Sequence, residues 1–227
     1  MDGNSRYAAA HGWLPSAGHE AGVAALRRTV AACARFGVRA LTVYAFSEEN
    51  WRRDGAEVAF LMALFERALG DELPELHSSD VRLRFIGGLE RLPEGLRRGI
   101  ARAEALTAAN QGLLLTVAVS YSAQADIAAA ARRLAQAAAD GRIRPDDVTP
   151  DLLARELSTA PTTLEVGPVD LLIRTSDTQR LSNFLLWELA YAELYFEPAL
   201  WPAFGEEQLV RALRQYAGRE RRFGGRH

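Results

Sequence analysis

Between residues 19 and 36, Val23, Leu26, Val30 and Cys33 recur on one helical stripe, and Gly37 follows as a stop. Residues 38–46 change period: they are mostly apolar and rich in β-branched side chains, the pattern of a strand buried on both faces. Residues 57–76 return to helical spacing. Val58, Phe60, Leu61, Met62, Leu64, Phe65, Ala68 and Leu69 make this segment apolar almost all round, so it is expected in the core or along a cavity. The alternation continues with a strand at 81–86 closed by Gly87-Gly88, a helix at 93–109, a strand at 112–121 and an Ala-rich helix to about residue 139. A polar connection at 140–151 leads to a short helix at 152–157, a strand at 169–174 and an apolar helix at 182–192. Leu200 marks a possible short strand, and residues 206 to about 219 form the last helix. Residues 2–18 read as a glycine-punctuated loop with turns at His11-Gly12 and Leu14-Pro15.

Strands alternating with helices predict an α/β fold: a single domain over 1–227, with a mostly parallel central sheet flanked by helices. At 227 residues and 48% hydrophobic, the chain can bury a sizeable core. The formal charge of -2 offers no global basic field, so nucleic acid is not expected as a partner. No apolar run is long enough for a transmembrane segment, and Met1 is followed at once by Asp2 without a basic or apolar leader. The lone Cys33 excludes an intrachain disulfide framework and fits a reducing, cytoplasmic setting. Lysine is absent, so every basic side chain apart from histidine is an arginine.

In a parallel sheet, ligands gather at the C-terminal strand ends, and polar clusters stand at several of them. Ser47-Glu48-Glu49-Asn50-Trp51-Arg52-Arg53 follows the first strand, and Ser120 to Gln124 follows the third. After the last strand, Arg174 to Asn183 holds two arginines and four hydroxyls in ten residues. Arginines six apart with a hydroxyl beside them can grip a diphosphate from two sides; the hydroxyls could equally cap a helix. At the other end of the sequence, Asp2, Gly3, Asn4 and Arg6 place a carboxylate, a glycine, an amide and a cation within five positions. That set suits a metal-bridged diphosphate, and it is also ordinary turn chemistry. His19 opens a helix, where an imidazole can face an anion or simply start the helix. Glu193 sits among aromatic residues, where a carboxylate needs a cation or a metal beside it.

Together these segments resemble the cis-prenyltransferases, the undecaprenyl diphosphate synthase family, over nearly the whole chain. The likeness rests on Met1-Asp2-Gly3-Asn4, Gly18-His19, Tyr44-Ala45-Phe46-Ser47-Glu48-Glu49-Asn50-Trp51, Phe85-Ile86-Gly87 and Leu171-Leu172-Ile173-Arg174-Thr175. It continues in Arg180-Leu181-Ser182-Asn183-Phe184, Ala190-Tyr191-Ala192-Glu193-Leu194-Tyr195-Phe196, Leu200-Trp201-Pro202 and Arg219-Glu220-Arg221-Arg222-Phe223-Gly224-Gly225. The resemblance implies that Asp2 holds Mg²⁺ and that Gly3, Asn4, Arg6 and His19 bind the diphosphate of an allylic donor. It implies that Arg174, Arg180 and Ser182 bind the diphosphate of a C5 acceptor, and that Glu193 supports the metal or the acceptor site. Ser47 and Asn50 would line the reacting centre, and Arg53 would add charge. Helix 57–76 with strands 38–46 and 112–120 would wall a hydrophobic tunnel for the hydrocarbon. The enzyme would be a homodimer whose segment 219–225 reaches the partner's site.

Several positions depart from the family pattern. The chain begins at Met1-Asp2-Gly3 without the family's preceding apolar strand, so either the chain is truncated or the first strand is missing. Tyr7 stands where a tryptophan is usual, and Pro15 stands near the position where the family often has an arginine that helps bind the donor. Ser120-Tyr121-Ser122-Ala123-Gln124 replaces Asn-Tyr-Gly-Gly-Arg, and Asp177-Thr178-Gln179 replaces Gly-Glu followed by Gln or His. The last two changes cluster at the expected acceptor side. They predict a short, branched product from head-to-middle condensation of dimethylallyl or geranyl diphosphate with a C5 diphosphate, as in isosesquilavandulyl-type members. The alternative is regular head-to-tail synthesis of a long cis-polyprenyl diphosphate.

Overall fold

A computed structural model describes residues 1–220. The strands are β1 (Ala40–Ser47), β2 (Arg82–Ile86), β3 (Leu114–Tyr121), β4 (Leu171–Thr175) and β5 (Glu193–Glu197). The helices are α1 (Asn4–Ala10), α2 (Pro15–Arg35), α3 (Gly55–Ser78), α4 (Glu94–Thr107), α5 (Ala123–Ala139), α6 (Pro150–Glu156), α7 (Ala160–Val166) and α8 (Glu206–Ala217). The fold is α/β, and every strand pairing among the described residues is parallel. The strands form two ladders, β1-β3-β2 and β4-β5. The chain divides into two compact units. Among the described residues, the first comprises 1–38, 169–180 and 188–220, and the second 39–168 and 181–187.

In the second unit β3 is the central strand, and all its residues but Val117 are buried, which explains its continuous apolar run. The pairing of β1 with β3 shifts register between Tyr44 and Ser47. A shift of this kind bends a strand and re-aims its side chains, and here it falls just before the turn that carries Asn50. Against this sheet Phe46, Leu61, Met62, Leu92, Leu96, Ile100 and Val119 form one buried cluster, ringed by half-buried Trp51, Phe60, Phe65 and Leu69. α3 is less uniformly buried than its composition suggests: Leu61, Met62 and Leu64 are inside, while Ala59 and Ala63 face solvent.

In the first unit α1 packs on α2, and α2 also packs on α8. The close approach is set by Gly18, where a Cβ would lie 2.2 Å from the carbonyl oxygen of Asn4. Residues 4–10 and 15–18, expected as loop, are helical. Pro15 occupies the first turn of α2, where its missing N–H has no intrahelical acceptor to lose, so the apparent turn signal is a helix start.

Two more expectations change. Residues 182–192 are turns rather than a helix: Ser182, Asn183 and Leu185 have φ of 50°, 60° and 45°. A right-handed helix cannot contain such residues. The apolar run encoded burial of Phe184, Leu185 and Leu189, not helicity. The strand expected at Leu200 lies earlier, as β5, and Leu200 instead leads into a 3-10 turn at Trp201–Ala203. α7 was not foreseen, because its Pro161 and threonines mask a helical start.

Candidate active site

The first unit gathers Asp2, Arg6, Arg174 and Ser176. The Thr175 and Ser176 hydroxyls donate to the carbonyl oxygen of Asp2 at 3.1 and 2.6 Å, and the Trp201 N–H donates to the same oxygen at 3.0 Å. Asp2 is thus stitched to the C-terminal end of β4. Gly3 makes this possible: its φ is 105°, and a Cβ would meet the Ser176 Oγ at 2.4 Å. One oxygen of the Asp2 carboxylate accepts from Arg6 at 3.2 Å and the other from Arg174 at 3.3 Å. Arg6 also donates to the Ser176 carbonyl oxygen at 3.4 Å. Arg174 is the better-desolvated partner, its side chain 15% exposed against 54% for Arg6. Its other nitrogen donates to the carbonyl oxygen of Arg180. Burial pushes the Asp2 carboxyl up, but the hydrogen bond from Arg174 and the two positive charges outweigh it and hold the group below the usual carboxylate range.

Beside this cluster, the Asn4 side-chain nitrogen lies 3.5 Å from Nδ1 of His19. Asn4 Oδ1 is buried with no hydrogen-bond partner among the described residues. A buried polar atom left unpaired is the kind of group that a ligand or an ordered water completes. On β5, the Glu193 carboxylate is held by Arg219, which also donates to the Leu194 carbonyl oxygen at 2.9 Å. Arg219 and Glu220 belong to the segment expected to reach a partner, while residues 221–225 lie outside the described residues.

The second unit carries the other expected residues. The Ser47 N–H donates to Asn50 Oδ1 at 3.0 Å, fixing the 3-10 turn Glu48–Arg52. Arg53 pairs with Glu57 at 2.8 Å in the first turn of α3. Trp51 donates from its indole to the Ser120 hydroxyl at 2.9 Å and packs edge-on to Phe46 at 5.1 Å. The Arg91 guanidinium lies 5.0 Å over the Trp51 ring and pairs with Glu48 at 2.8 Å. Ser120 is buried with a φ of 51°, so the substitution at the end of β3 has a defined partner. Ser182 sits in the left-handed turn that begins the segment 181–187.

The structure therefore unites Asp2 with Gly3, Arg6 and Arg174, Asn4 with His19, and Ser47 with Asn50. Reading the sequence gave no individual role to Ser176, Glu49 or Asn183, and expected Arg219 only as part of a segment reaching a partner, not as the partner of Glu193. Ser176 had a signal, standing two residues after Arg174. The others act through hydrogen bonds between distant segments, which spacing does not encode.

Asp2 offers hard carboxylate oxygens, half exposed and kept ionised, which suits Mg²⁺; that ion is commonly held by one or two carboxylates with the rest of its shell from phosphates and water. Among the described residues no group of three or more His, Cys, Asp and Glu side chains could hold a metal ion by itself. The donor set therefore fits an ion that arrives with a diphosphate rather than a permanent protein cage.

A carboxylate between two guanidiniums beside an unpaired buried amide is an arrangement able to bind an anion with a metal ion, and similarity to known proteins defines it further. A family model described as putative undecaprenyl diphosphate synthase matches residues 1–224. The ditrans,polycis-undecaprenyl-diphosphate synthase, (2E,6E)-farnesyl-diphosphate specific, of Vibrio cholerae is 46% identical over 224 residues, covering 99% of this chain and 88% of the relative. Its Escherichia coli counterpart is 46% identical over 225 residues, covering 99% and 87%. Among solved structures, lavandulyl diphosphate synthase from Lavandula x intermedia in complex with dimethylallyl diphosphate superposes with a TM-score of 0.95 at 38% identity, over 99% of this chain and 95% of that one. A probable undecaprenyl diphosphate synthase from Campylobacter jejuni gives 0.78 at 32% identity, over 90% and 92%. The chain is a prenyltransferase, and it belongs to the cis-prenyltransferase family of undecaprenyl diphosphate synthases.

Proposed function

We propose that the protein extends an allylic diphosphate with C5 diphosphate units, head to tail, to a cis-polyprenyl diphosphate. The observation that carries the head-to-tail reading is the match over nearly the whole chain to regular synthases, and the Asp2 carboxylate held between Arg6 and Arg174 at the end of β4 supports the diphosphate chemistry that both readings share. That match reaches 46% identity over 99% of the chain. In the reaction, the C1–O bond of the donor breaks and diphosphate leaves with the electron pair. The acceptor's alkene supplies the electrons for the new C–C bond, and the resulting cation loses a proton to a base. Mg²⁺, when bound, neutralises charge developing on the leaving group.

Asp2 holds that ion, with Glu193 as a second carboxylate whose charge Arg219 balances. Gly3, Asn4, Arg6 and His19 take the donor's diphosphate; Arg174, Arg180 and Ser182 take that of the acceptor. Ser47 and Asn50 position the reacting carbons, and Arg53 adds positive charge. Phe60, Phe65 and Leu69, half-buried against the apolar cluster, line the path of the growing chain. No described helix is long and apolar enough to cross a membrane. A cytoplasmic homodimer over 1–227 completes the reading.

A second reading is the head-to-middle one, giving a short, branched, lavandulyl-type product. It is favoured by the TM-score of 0.95 to lavandulyl diphosphate synthase and by the exchanged residues Ser120 to Gln124. One experiment decides. The protein is incubated with Mg²⁺ and dimethylallyl, geranyl or farnesyl diphosphate, each with and without isopentenyl diphosphate, and products are identified by mass spectrometry. Linear products that require isopentenyl diphosphate support the first reading. A branched product from dimethylallyl diphosphate alone supports the second, and no prenyl product under any condition overturns both.

A further inference from the structure

We propose that Asn183 is the positioning residue of the acceptor side: it locks the turn that carries Ser182 onto α5 and onto the 3-10 turn after β1. This rests on the reading of Ser182 as an acceptor-binding residue. The contacts all lie within the second unit. The Asn183 carbonyl oxygen accepts from the Ala123 N–H at 3.0 Å, and its Oδ1 accepts from the Gln124 N–H at 3.0 Å. Its Nδ2 donates to the Ser122 hydroxyl at 2.7 Å and to the Glu49 carboxylate at 3.0 Å. The Ser122 hydroxyl in turn accepts from the Ala125 N–H at 3.2 Å, and the Ser122 carbonyl from the Asp126 N–H at 2.9 Å.

Two consequences follow. First, the N–H groups of the opening turn of α5, which elsewhere form a ready anion site, are filled from within the protein. This helix start holds a turn, not a diphosphate. Second, that turn is one the backbone would not adopt unaided. Ser182, Asn183 and Leu185 are all left-handed, a region that asparagine tolerates and that serine and leucine populate poorly. Such geometry persists only when its surroundings over-determine it. Phe184 provides the apolar half of the constraint, stacked on Tyr44 at 4.6 Å and edge-on to Tyr121 at 6.3 Å. Asn183 provides the polar half. Through Glu49, which lies between Ser47 and Asn50, the same amide joins the Ser182 turn to the turn proposed to position the reacting carbons.

The test uses the full-length protein. Binding of isopentenyl diphosphate is measured by calorimetry with Mg²⁺ and no donor, alongside steady-state constants for donor and acceptor. N183A should raise the acceptor's Kd and KM about tenfold, as for loss of a charge-assisted hydrogen bond, and leave the donor's KM within about twofold. N183D keeps the acceptor for Gln124 but faces Glu49 with a second carboxylate, so it should be worse. N183D/E49Q reverses donor and acceptor across the same contact and should recover most of the loss. If N183A does not fold, E49A alone, which removes the acceptor of the Nδ2 bond, should still raise the acceptor's KM. A residue that only stabilised the fold would lower Tm and move both substrates together, with no rescue by the exchanged pair; that result, or an unchanged acceptor KM in N183A, overturns the role of Asn183. If the unsubstituted protein binds no isopentenyl diphosphate, the acceptor reading itself falls, which is seen before any variant is made.

Discussion

The two compact units solve different physical problems. Around the end of β4, the first unit sets a carboxylate between two guanidiniums, with hydroxyls and a tight glycine behind it. Around β1-β3-β2, the second unit packs Phe46, Leu61, Met62 and Val119 beneath half-buried aromatic side chains. One region is organised by charge and directional hydrogen bonds, the other by volume and the exclusion of water. A prenyl diphosphate has both a doubly phosphorylated head and a hydrocarbon tail, and the contrast teaches that each needs its own environment. On the proposed function, charge placement would govern whether the reaction runs and packing how far the product grows.

The largest effect separating the regions is expected at Asp2. Asp2→Ala removes the carboxylate that would hold the metal, and turnover should fall by about two orders of magnitude or more, while product length among residual turnovers stays the same. Near-normal turnover in Mg²⁺ would break the division. Arg174→Ala and Arg180→Ala come next. Each deletes a charge-assisted contact worth about 1.5–3 kcal/mol, so the acceptor's KM should rise about tenfold to a hundredfold with the donor's KM little changed. A rise in the donor's KM alone would exchange the two diphosphate sites.

Phe60→Ala tests the other region. Close-packed interiors leave no room for further methylenes until a ring is removed, so the product should lengthen while both KM values hold. A shift in Mg²⁺ dependence instead would show the two regions to be inseparable. A subtler effect concerns pH. The Asp2 pKa is held below its ordinary value, so its ionised form and the associated stabilisation are present above the usual carboxylate range and lost as pH falls through the depressed value. Arg174→Ala removes the strongest depressing contact and should move the acid limb of kcat/KM to higher pH; an unmoved limb would detach that limb from Asp2. The smallest expected signal is from Cys33. Burial pushes its thiol up to about 11, so it should resist thiol reagents at pH 8 in the folded protein and react on unfolding.

Much of this was legible in the sequence because it is local. The stripe of Val30 and Cys33 marks α2, the continuous run from Leu114 marks the doubly buried β3, and Asp2 with Arg6 sits one helical turn apart at a glycine. Hydrophobic period, helix stops and short motifs depend on neighbours within a few residues, so a chain read by itself reports them. The failures share one cause. The segment 182–192 reads as an apolar helix, yet three left-handed residues, Ser182, Asn183 and Leu185, make it turns, because Asn183 spends its backbone and side chain on α5 and Glu49. Pro15 looks like a turn and is a helix start, because α1 is already packed at Gly18.

By itself the sequence determined the α/β alternation, the family and the residue types needed to handle a diphosphate. Only the tertiary structure decided which of those residues meet: that Arg174 reaches Asp2 across 172 positions, that Arg219 takes Glu193, and that Trp51 is held by Ser120. Local pattern fixes secondary structure through short-range sterics and burial. Pairing between distant charges is fixed only once the strands and helices that carry them have packed, because a hydrogen bond depends on ångström-scale placement that no spacing along the chain specifies.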